Sequence, residues 1–369
     1  MSVFVEKARW FAGLVARNPR KALRSLSVIL TRRVQAALAR VGAMSGMAGS
    51  TYYFLASRAF GAEHQAVLRG KLVFQSADAE RQVSSARLRR NTHRLEKGLI
   101  MRPQRAVFAE DYIGVTVSDY RKACIGKTLD EGERSWAQDV LALYFATVSS
   151  TPRIEKARKT FVSVTAFIET PACVPYPSQA RTRSDIPFEK LEALFLERRS
   201  TRWFEPRLVP RELLEAAIGA ASLAPSACNR QPFNYAVLDE PERAVSIAKL
   251  AGGTGGFADN IPCLIVSIGD LSCYPEERDR HCIYIDASLA NMQLMLALQT
   301  MGLSTCSINW SDEATRDRAI GKALGLAPYE RVVMLIAVGY ADKDGRIPYS
   351  QKKPKQLLIR EGNKDRDVA

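Results

Sequence analysis

The stretch DASLANMQLMLALQTMG, residues 286–302, decides the fold, because as a helix it is apolar on most of its faces. A helix at a protein surface carries one apolar stripe, whereas a helix that is apolar nearly all round is buried. The stretch therefore predicts a central, buried helix with the rest of a domain packed around it.

Four short segments on either side of this helix have the apolar, β-branched composition of strands. They are NYAVLDE (234–240), PCLIVSIGD (262–270), STCSINW (304–310) and RVVMLIAVGY (331–340). Helical periodicity separates them, and helices are predicted near 188–197, 210–224 and 241–252. Strands and helices layered around one buried helix predict an α+β or α/β domain.

The N-terminal half of the chain has almost no strand pattern. Helices are predicted within 1–44, which is basic and amphipathic, and at 51–73, 78–100, 106–124, 131–150 and 153–169, with GAMSGMAGS (42–50) as a flexible break. Four prolines in TPACVPYPSQARTRSDIP favour a linker or wrapping segment. The predicted organisation is a basic, mostly helical region (1–169), a Pro-rich linker (170–187) and a folded domain (188–369).

The positive charge of the chain is concentrated at one end. The net charge is +14, and residues 1–100 contain 18 Lys and Arg against 5 Asp and Glu. Residues 1–44 alone carry nine basic side chains and one acidic one, together with the aromatic side chains of Phe4, Trp10 and Phe11. Basic amphipathic helices of this kind bind anionic membrane surfaces, although packing on the rest of the protein is an equal alternative. Nucleic acid is not expected as a partner, because no recognised binding module accompanies the charge.

Composition excludes several classes of protein. The sequence has no run of about eighteen apolar residues and no secretory leader, so a soluble cytoplasmic protein is expected. Peripheral contact of residues 1–44 with the inner membrane surface is a further expectation. Seven scattered cysteines without CxxC spacing fit neither a disulfide framework nor a zinc site, and three histidines argue against a multi-histidine metal centre.

Two polar stretches suggest a binding site. ERRSTRWF (197–204) gathers three arginines around Ser200, and planar guanidiniums suit phosphate oxygens. APSACNRQPFNY (224–235) presents Asn229 and Gln231, whose amides suit the edge of a flat heterocycle such as a flavin. The alternatives are a solvated basic helix end for the first stretch and an ordinary turn for the second.

These two stretches, with DASLANMQLMLALQTMGLSTC, RVVMLIAVGY and the later KKP, resemble the nitroreductase family of FMN-dependent oxidoreductases over about residues 190–358. The resemblance implies a mixed sheet flanked by helices around a central helix. It also implies FMN as cofactor, NAD(P)H as the electron donor, a small-molecule acceptor and a homodimer with flavin at the subunit interface.

The resemblance carries functional residues position by position. The residues matching the R-x-S-x-R/K pattern that holds the FMN phosphate and ribityl chain are Arg198, Arg199, Ser200 and Arg202. The residues of the loop that reaches flavin from the partner subunit are Pro225, Ser226, Asn229 and Gln231. The strand end facing the flavin N5 edge is Ser307, Ile308 and Asn309, and the basic pair closing on the phosphate is Lys352 and Lys353.

One position departs from the family pattern. Many relatives have glycine soon after the strand end, whereas this chain has Trp310. No catalytic side chain and no metal are implied, since the flavin itself accepts and donates the hydride. The alternative function is a non-catalytic flavin-fold scaffold whose basic helical half docks to a membrane surface or an acidic partner.

Overall fold

The computed structural model describes residues 19–57, 59–76, 84–126, 129–165 and 172–360. The Cα positions divide the chain between Gln65 and Ala66 into two compact units. Within the described ranges, no helix combines the length and the apolar character needed to cross a bilayer. Of residues 1–44, those before residue 19 lie outside the described part of the chain.

The first unit contains a helical hairpin. Helix α1 spans Pro19–Gly42 and helix α2 spans Gly46–Leu55. The Ser45 hydroxyl accepts a hydrogen bond from Ala48 N at 3.1 Å and caps the first turn of α2. The flexible break predicted at 42–50 is therefore only a short turn, and the predicted helix 51–73 is interrupted by the non-helical residues 56, 57, 59 and 60.

The second unit begins with further helices, which have their own apolar core. They are α3 (Gly61–Gln75, which starts in the first unit), α4 (Ala86–Leu99), α5 (Ile113–Gly126), α6 (Glu131–Thr147) and α7 (Pro152–Val162). The caps are readable in the sequence: Ser85, Asp130 and Thr151 each accept a backbone N–H three residues on. Leu95, Tyr120 and Tyr144 are fully buried among these helices.

A four-stranded sheet forms the rest of the second unit. The strands are β1 (Phe233–Leu238), β2 (Cys263–Asp270), β3 (Ser304–Asn309) and β4 (Glu330–Gly339), in the order β1-β2-β4-β3 and all antiparallel. An isolated parallel bridge joins Ser200 to Thr305. The helices of this part are α8 (Phe188–Glu197), α9 (Arg211–Ala221), α10 (Pro241–Ala248), α11 (Cys282–Thr300) and α12 (Ala314–Leu324).

Helix α11 is the central helix that the sequence predicts. It packs against α9 and against the sheet, with Ala290, Leu294 and Leu298 fully buried beside Ile265 and Ile336. A second apolar cluster covers the opposite face of the sheet and includes residues of α10 and α12. The α+β fold class is confirmed. No element was predicted from the sequence where α12 lies, and the domain boundaries predicted at 169 and 187 stay predictions.

Candidate functional site

The segment from Ser200 to Phe204 is extended and fixed to its neighbours by backbone hydrogen bonds. Thr201 N donates to Thr305 O at 3.0 Å, which joins the segment to β3. The Asn260 side chain makes two further hydrogen bonds to this segment. Its Oδ1 accepts from Phe204 N, and its Nδ2 donates to Arg202 O, both at 2.7 Å. The backbone therefore holds the arginines of this segment beside the end of β3.

A cavity of about 450 Å³ lies at this junction. Its lining comes from three places in the sequence: Arg202, the loop residues Gly252, Gly253 and Phe257, and the strand end Cys306, Ser307, Ile308, Asn309 and Ser311. The Arg202 guanidinium carbon lies 5.8 Å from the Phe257 ring centre. The structure thus brings Arg202, alone of the four residues predicted to hold the phosphate and ribityl chain, together with the predicted strand end, and it adds the glycine-rich loop.

The charge at this cavity is positive. Burial raises the pKa of the Cys306 thiol, and the charges of Arg202 and Arg198 oppose that rise, so both guanidiniums act on the same point of β3. The Nε atom of Arg198 is buried without a hydrogen-bond partner among the described residues. A buried cationic donor without a hydrogen-bond partner costs folding free energy. An anionic oxygen of a ligand would supply that partner, so this side of the cavity suits an anionic ligand.

The other predicted phosphate ligands are placed differently. The Arg199 Nη2 atom donates to Pro348 O at 2.9 Å and also to Tyr349 O. Arg199 therefore holds the C-terminal segment that leads to Lys352 and Lys353, whose side chains are exposed. Contact of Arg199 and the two lysines with a phosphate stays a prediction.

The loop from Pro225 to Gln231 has a strained backbone. Cys228, Asn229 and Gln231 have φ values of 54°, 51° and 49°, in the left-handed region. Asparagine tolerates this region, whereas cysteine and glutamine enter it at a cost of about 1–3 kcal/mol each. Such a conformation persists only where surrounding contacts determine it, and strained residues cluster at ligand sites.

Two sets of contacts fix the loop from within the sheet domain. Asp286 of α11 accepts from Ala227 N at 2.9 Å and from the Tyr274 hydroxyl at 3.2 Å. Burial raises the pKa of Asp286, and these hydrogen bonds oppose the rise. Gln231 donates from its backbone N to Ser226 Oγ at 3.0 Å and from Nε2 to Ser222 O at 2.6 Å. Its amide is therefore held inside the loop.

A third set of contacts comes from the N-terminal helical region. Arg89 of α4 donates from Nε to Asn229 O and from Nη2 to Gln231 Oε1, both at 2.9 Å. Its Nη1 pairs with the buried Glu133 of α6 at 3.0 Å. Glu133 also accepts from Ser84 and from the backbone of Ser85. One arginine thus connects the helical region to the two amide residues predicted to contact flavin.

Further cations surround this loop. Arg90 and Arg94 lie one helical turn apart on α4, and burial, together with repulsion from Arg94 and Arg230, lowers the pKa of Arg90. Arg230 is buried over the Tyr274 ring, with its guanidinium carbon 4.6 Å from the ring centre. Arg89, Arg90 and Arg230 therefore all lie close to the loop.

Trp310 is not among the residues that line the cavity. Its side chain is buried in the apolar cluster on the α10 and α12 face of the sheet, and Nε1 donates to Asp317 Oδ1 at 2.9 Å. Asp317 Oδ2 in turn accepts from the buried guanidinium of Arg331 at 3.1 Å. Trp310, the residue that departs from the family pattern, therefore packs in the core. Asn309, which precedes it, is the last residue of β3 that lines the cavity.

Sequence reasoning missed Arg89, Asn260 and Asp286. Arg89 lies in a run of arginines that looks like a solvated helix face, and nothing local marks it as a partner of residues 140 positions away. Asp286 could have been identified from the sequence, since it is a carboxylate at the start of an otherwise apolar helix. Pro225, Ser226, Asn229 and Gln231 lie outside the cavity in the described part of the chain.

Part of the chain is similar to known proteins. Residues 196–254 and 241–340 match the Nitroreductase family. Iodotyrosine deiodinase 1 of Mus musculus is 27% identical over 207 residues, covering 48% of this chain and 70% of that protein. A putative NADH dehydrogenase/NAD(P)H nitroreductase of Archaeoglobus fulgidus is 28% identical over 155 residues, covering 41% and 86%. An FMN-dependent nitroreductase structure from Clostridium difficile R20291 aligns with a TM-score of 0.40 at 25% identity, covering 46% of this chain and 98% of that one.

Proposed function

We propose that the protein is an FMN-dependent oxidoreductase that uses NAD(P)H to reduce a small organic acceptor, since residues 196–254 and 241–340 match the Nitroreductase family. The observation that carries this proposal is the meeting of Arg202 with Ser307, Ile308 and Asn309 in one cavity. FMN supplies hydride acceptance and donation when bound. The residues of this chain would bind FMN, orient it and shield it from water.

The donor set at the cavity fits a phosphorylated flavin. Arg198 has a buried guanidinium nitrogen without a hydrogen-bond partner among the described residues, and Arg202 lines the cavity, so both suit the phosphate and the ribityl chain. Ser200 adds a neutral hydroxyl beside them. Lys352 and Lys353 would approach the same phosphate from the exposed C-terminal segment, which Arg199 holds through its carbonyl groups.

The loop would complete the site from a second subunit. Asn229 and Gln231 lie outside the cavity of their own chain, which supports a homodimer in which each loop reaches the partner's flavin. The strained backbone of Cys228 to Gln231, braced by Asp286 and Arg89, is the kind of structure that a ligand site maintains. The cationic surroundings favour acceptors that carry a negative group.

The relatives suggest two classes of acceptor. Reduction of nitro or quinone groups corresponds to the nitroreductase relatives, and reductive removal of halogen from an aromatic ring corresponds to the relatives named iodotyrosine deiodinase. A non-catalytic scaffold with the flavin-binding fold is the alternative to an enzyme.

Absorbance and turnover separate these possibilities. The purified protein should be yellow, or become so with added FMN, and should consume NADH or NADPH with a nitroaromatic, a quinone or a halogenated tyrosine. A protein that binds no FMN contradicts the proposal. A yellow protein that neither oxidises NAD(P)H nor transfers electrons from chemically reduced flavin to any of these acceptors supports the scaffold.

A further inference from the structure

The helical hairpin of α1 and α2 exposes large apolar side chains. Met44 and Met47 are 81% and 82% exposed, and Phe54 and Leu55 are 82% and 74% exposed. On α1, a stripe of exposed apolar residues one turn apart consists of Leu30, Val34, Leu38 and Val41. Isolated exposed apolar residues are normal, whereas a patch spread over two helices marks an interaction surface.

The two helices of the hairpin approach closely at two glycines. A Cβ at Gly42 would lie 3.0 Å from Tyr52 Cβ, and one at Gly49 would lie 3.3 Å from Gly42 O. The Tyr52 side chain therefore packs against Gly42, where a larger residue would collide with it. An apolar groove of about 470 Å³, lined by residues that include Leu38, Val41, Tyr52 and Leu55, runs along the hairpin.

The charge of the hairpin has one sign. Residues 19–57 contain six Lys and Arg and no Asp or Glu. Arg33 and Arg40 are exposed and seven residues apart, so they share one face of α1 beside the apolar stripe. Helix α2 carries no charged residue and presents Tyr52 and Tyr53, whose ring centres lie 5.0 Å apart. Tyrosine suits the boundary between hydrocarbon and water.

We propose that residues 19–57 dock onto the surface of an anionic lipid bilayer, with the apolar faces of α1 and α2 in the headgroup boundary and Arg33 and Arg40 on the lipid phosphates. The arrangement combines the two attractions that hold an interfacial helix, which are apolar burial and cation–lipid attraction. An acidic protein would match the cations, but a lipid surface also accommodates flexible Met, Phe and Leu side chains without requiring a complementary shape. This attachment is independent of the proposed redox function.

Vesicle sedimentation of the full chain tests the proposal. The protein is mixed with phosphatidylcholine vesicles with and without phosphatidylserine, at low and high salt. We expect binding to the anionic vesicles at low salt, and loss of most of it at high salt because salt screens exposed charges. Arg33→Gln/Arg40→Gln should weaken partitioning about thirtyfold, and Phe54→Ser/Leu55→Ser at least about tenfold.

Matched substitutions elsewhere serve as controls. Arg153→Gln/Lys159→Gln removes two exposed cations from α7, and Ile125→Ser/Val162→Ser removes two exposed apolar side chains from α5 and α7. Both controls should bind vesicles like the original protein. Absence of binding to anionic vesicles, or equal weakening by the controls, overturns the proposal. So does Phe54→Ser/Leu55→Ser changing the oligomeric state without lipid, since the face would then contact a second copy. If that apolar variant does not fold, the charge variant decides the test, and wild-type vesicle binding by Arg33→Gln/Arg40→Gln overturns the proposal.

Discussion

Arg89 donates from Nη2 to the side-chain oxygen of Gln231 at 2.9 Å, although 142 residues separate them in the sequence. The same guanidinium donates to Asn229 O and pairs with Glu133. The helical region and the strained loop of the sheet domain are therefore connected by one cation. This relationship gives the helical region a role at the candidate site that its composition does not reveal.

Replacing Arg89 should affect stability and flavin binding together. Arg89→Met leaves the Glu133 carboxylate buried without its cation, and breaking a buried ion pair costs about 3–5 kcal/mol of unfolding free energy. It also removes a charge-assisted hydrogen bond from Gln231, so FMN affinity should fall about tenfold or more. Urea unfolding and fluorescence titration with FMN measure the two effects.

A double variant separates them. Glu133→Gln in the Arg89→Met background removes the unpaired charge and should restore most of the stability, while FMN affinity stays low. Arg121→Met, an exposed change on α5, should alter neither quantity. If the double variant binds FMN as tightly as the original protein, Arg89 supports the fold and not the loop.

The phosphate assignment predicts that Arg198→Ala and Arg202→Ala each weaken FMN binding about ten- to a hundredfold, because each removes a charge-assisted hydrogen bond. Ser200→Ala should have a smaller effect, since the lost donor is neutral. Flavin content after dialysis measures the change. Arg211→Ala, which removes a surface ion pair with Glu215, is the control. Full flavin retention by both arginine variants would refute the assignment.

Asp286 should make stability depend on pH. Burial raises its pKa above the ordinary 3.8, so the folded protein keeps a proton that the unfolded chain has lost. Between these two pKa values the folded state binds more protons, and this contribution to stability falls as pH rises. The unfolding free energy of the original protein minus that of Asp286→Asn should therefore decrease with pH across this window. A difference that does not change with pH for Asp286→Asn contradicts the prediction.

Trp310→Phe should destabilise the protein without affecting the flavin. The substitution keeps a ring in the apolar cluster but removes the hydrogen bond to Asp317, a charged acceptor, at a cost of about 1.5–3 kcal/mol. FMN affinity should be unchanged because the side chain does not line the cavity. Thermal unfolding and FMN titration give both values, and weakened FMN binding with normal stability would place Trp310 at the flavin.

Periodicity made much of the sheet domain predictable. The strands predicted at 234–240, 262–270, 304–310 and 331–340 each lie within about two residues of the observed ones, because short apolar segments bounded by turns fold locally in a recognisable way. The helix boundaries were predicted less accurately. Helix α5 begins at Ile113, whereas the predicted helix began at residue 106, because residues 101–112 are non-helical and include Ala109 at φ 65°.

The sequence by itself determined the central helix α11, the strands around it and the clustering of Arg198, Ser200 and Arg202, since these depend on local pattern and spacing. Only the tertiary structure decided which of those residues share a cavity with Ser307 and Asn309, that Trp310 faces the core, and that Arg89 holds Gln231. The physical reason is that a charged or polar side chain has the same local pattern whether it is solvated or paired. Its partner is chosen by burial and by contacts between distant segments, which exist only once the helices and the sheet have packed together.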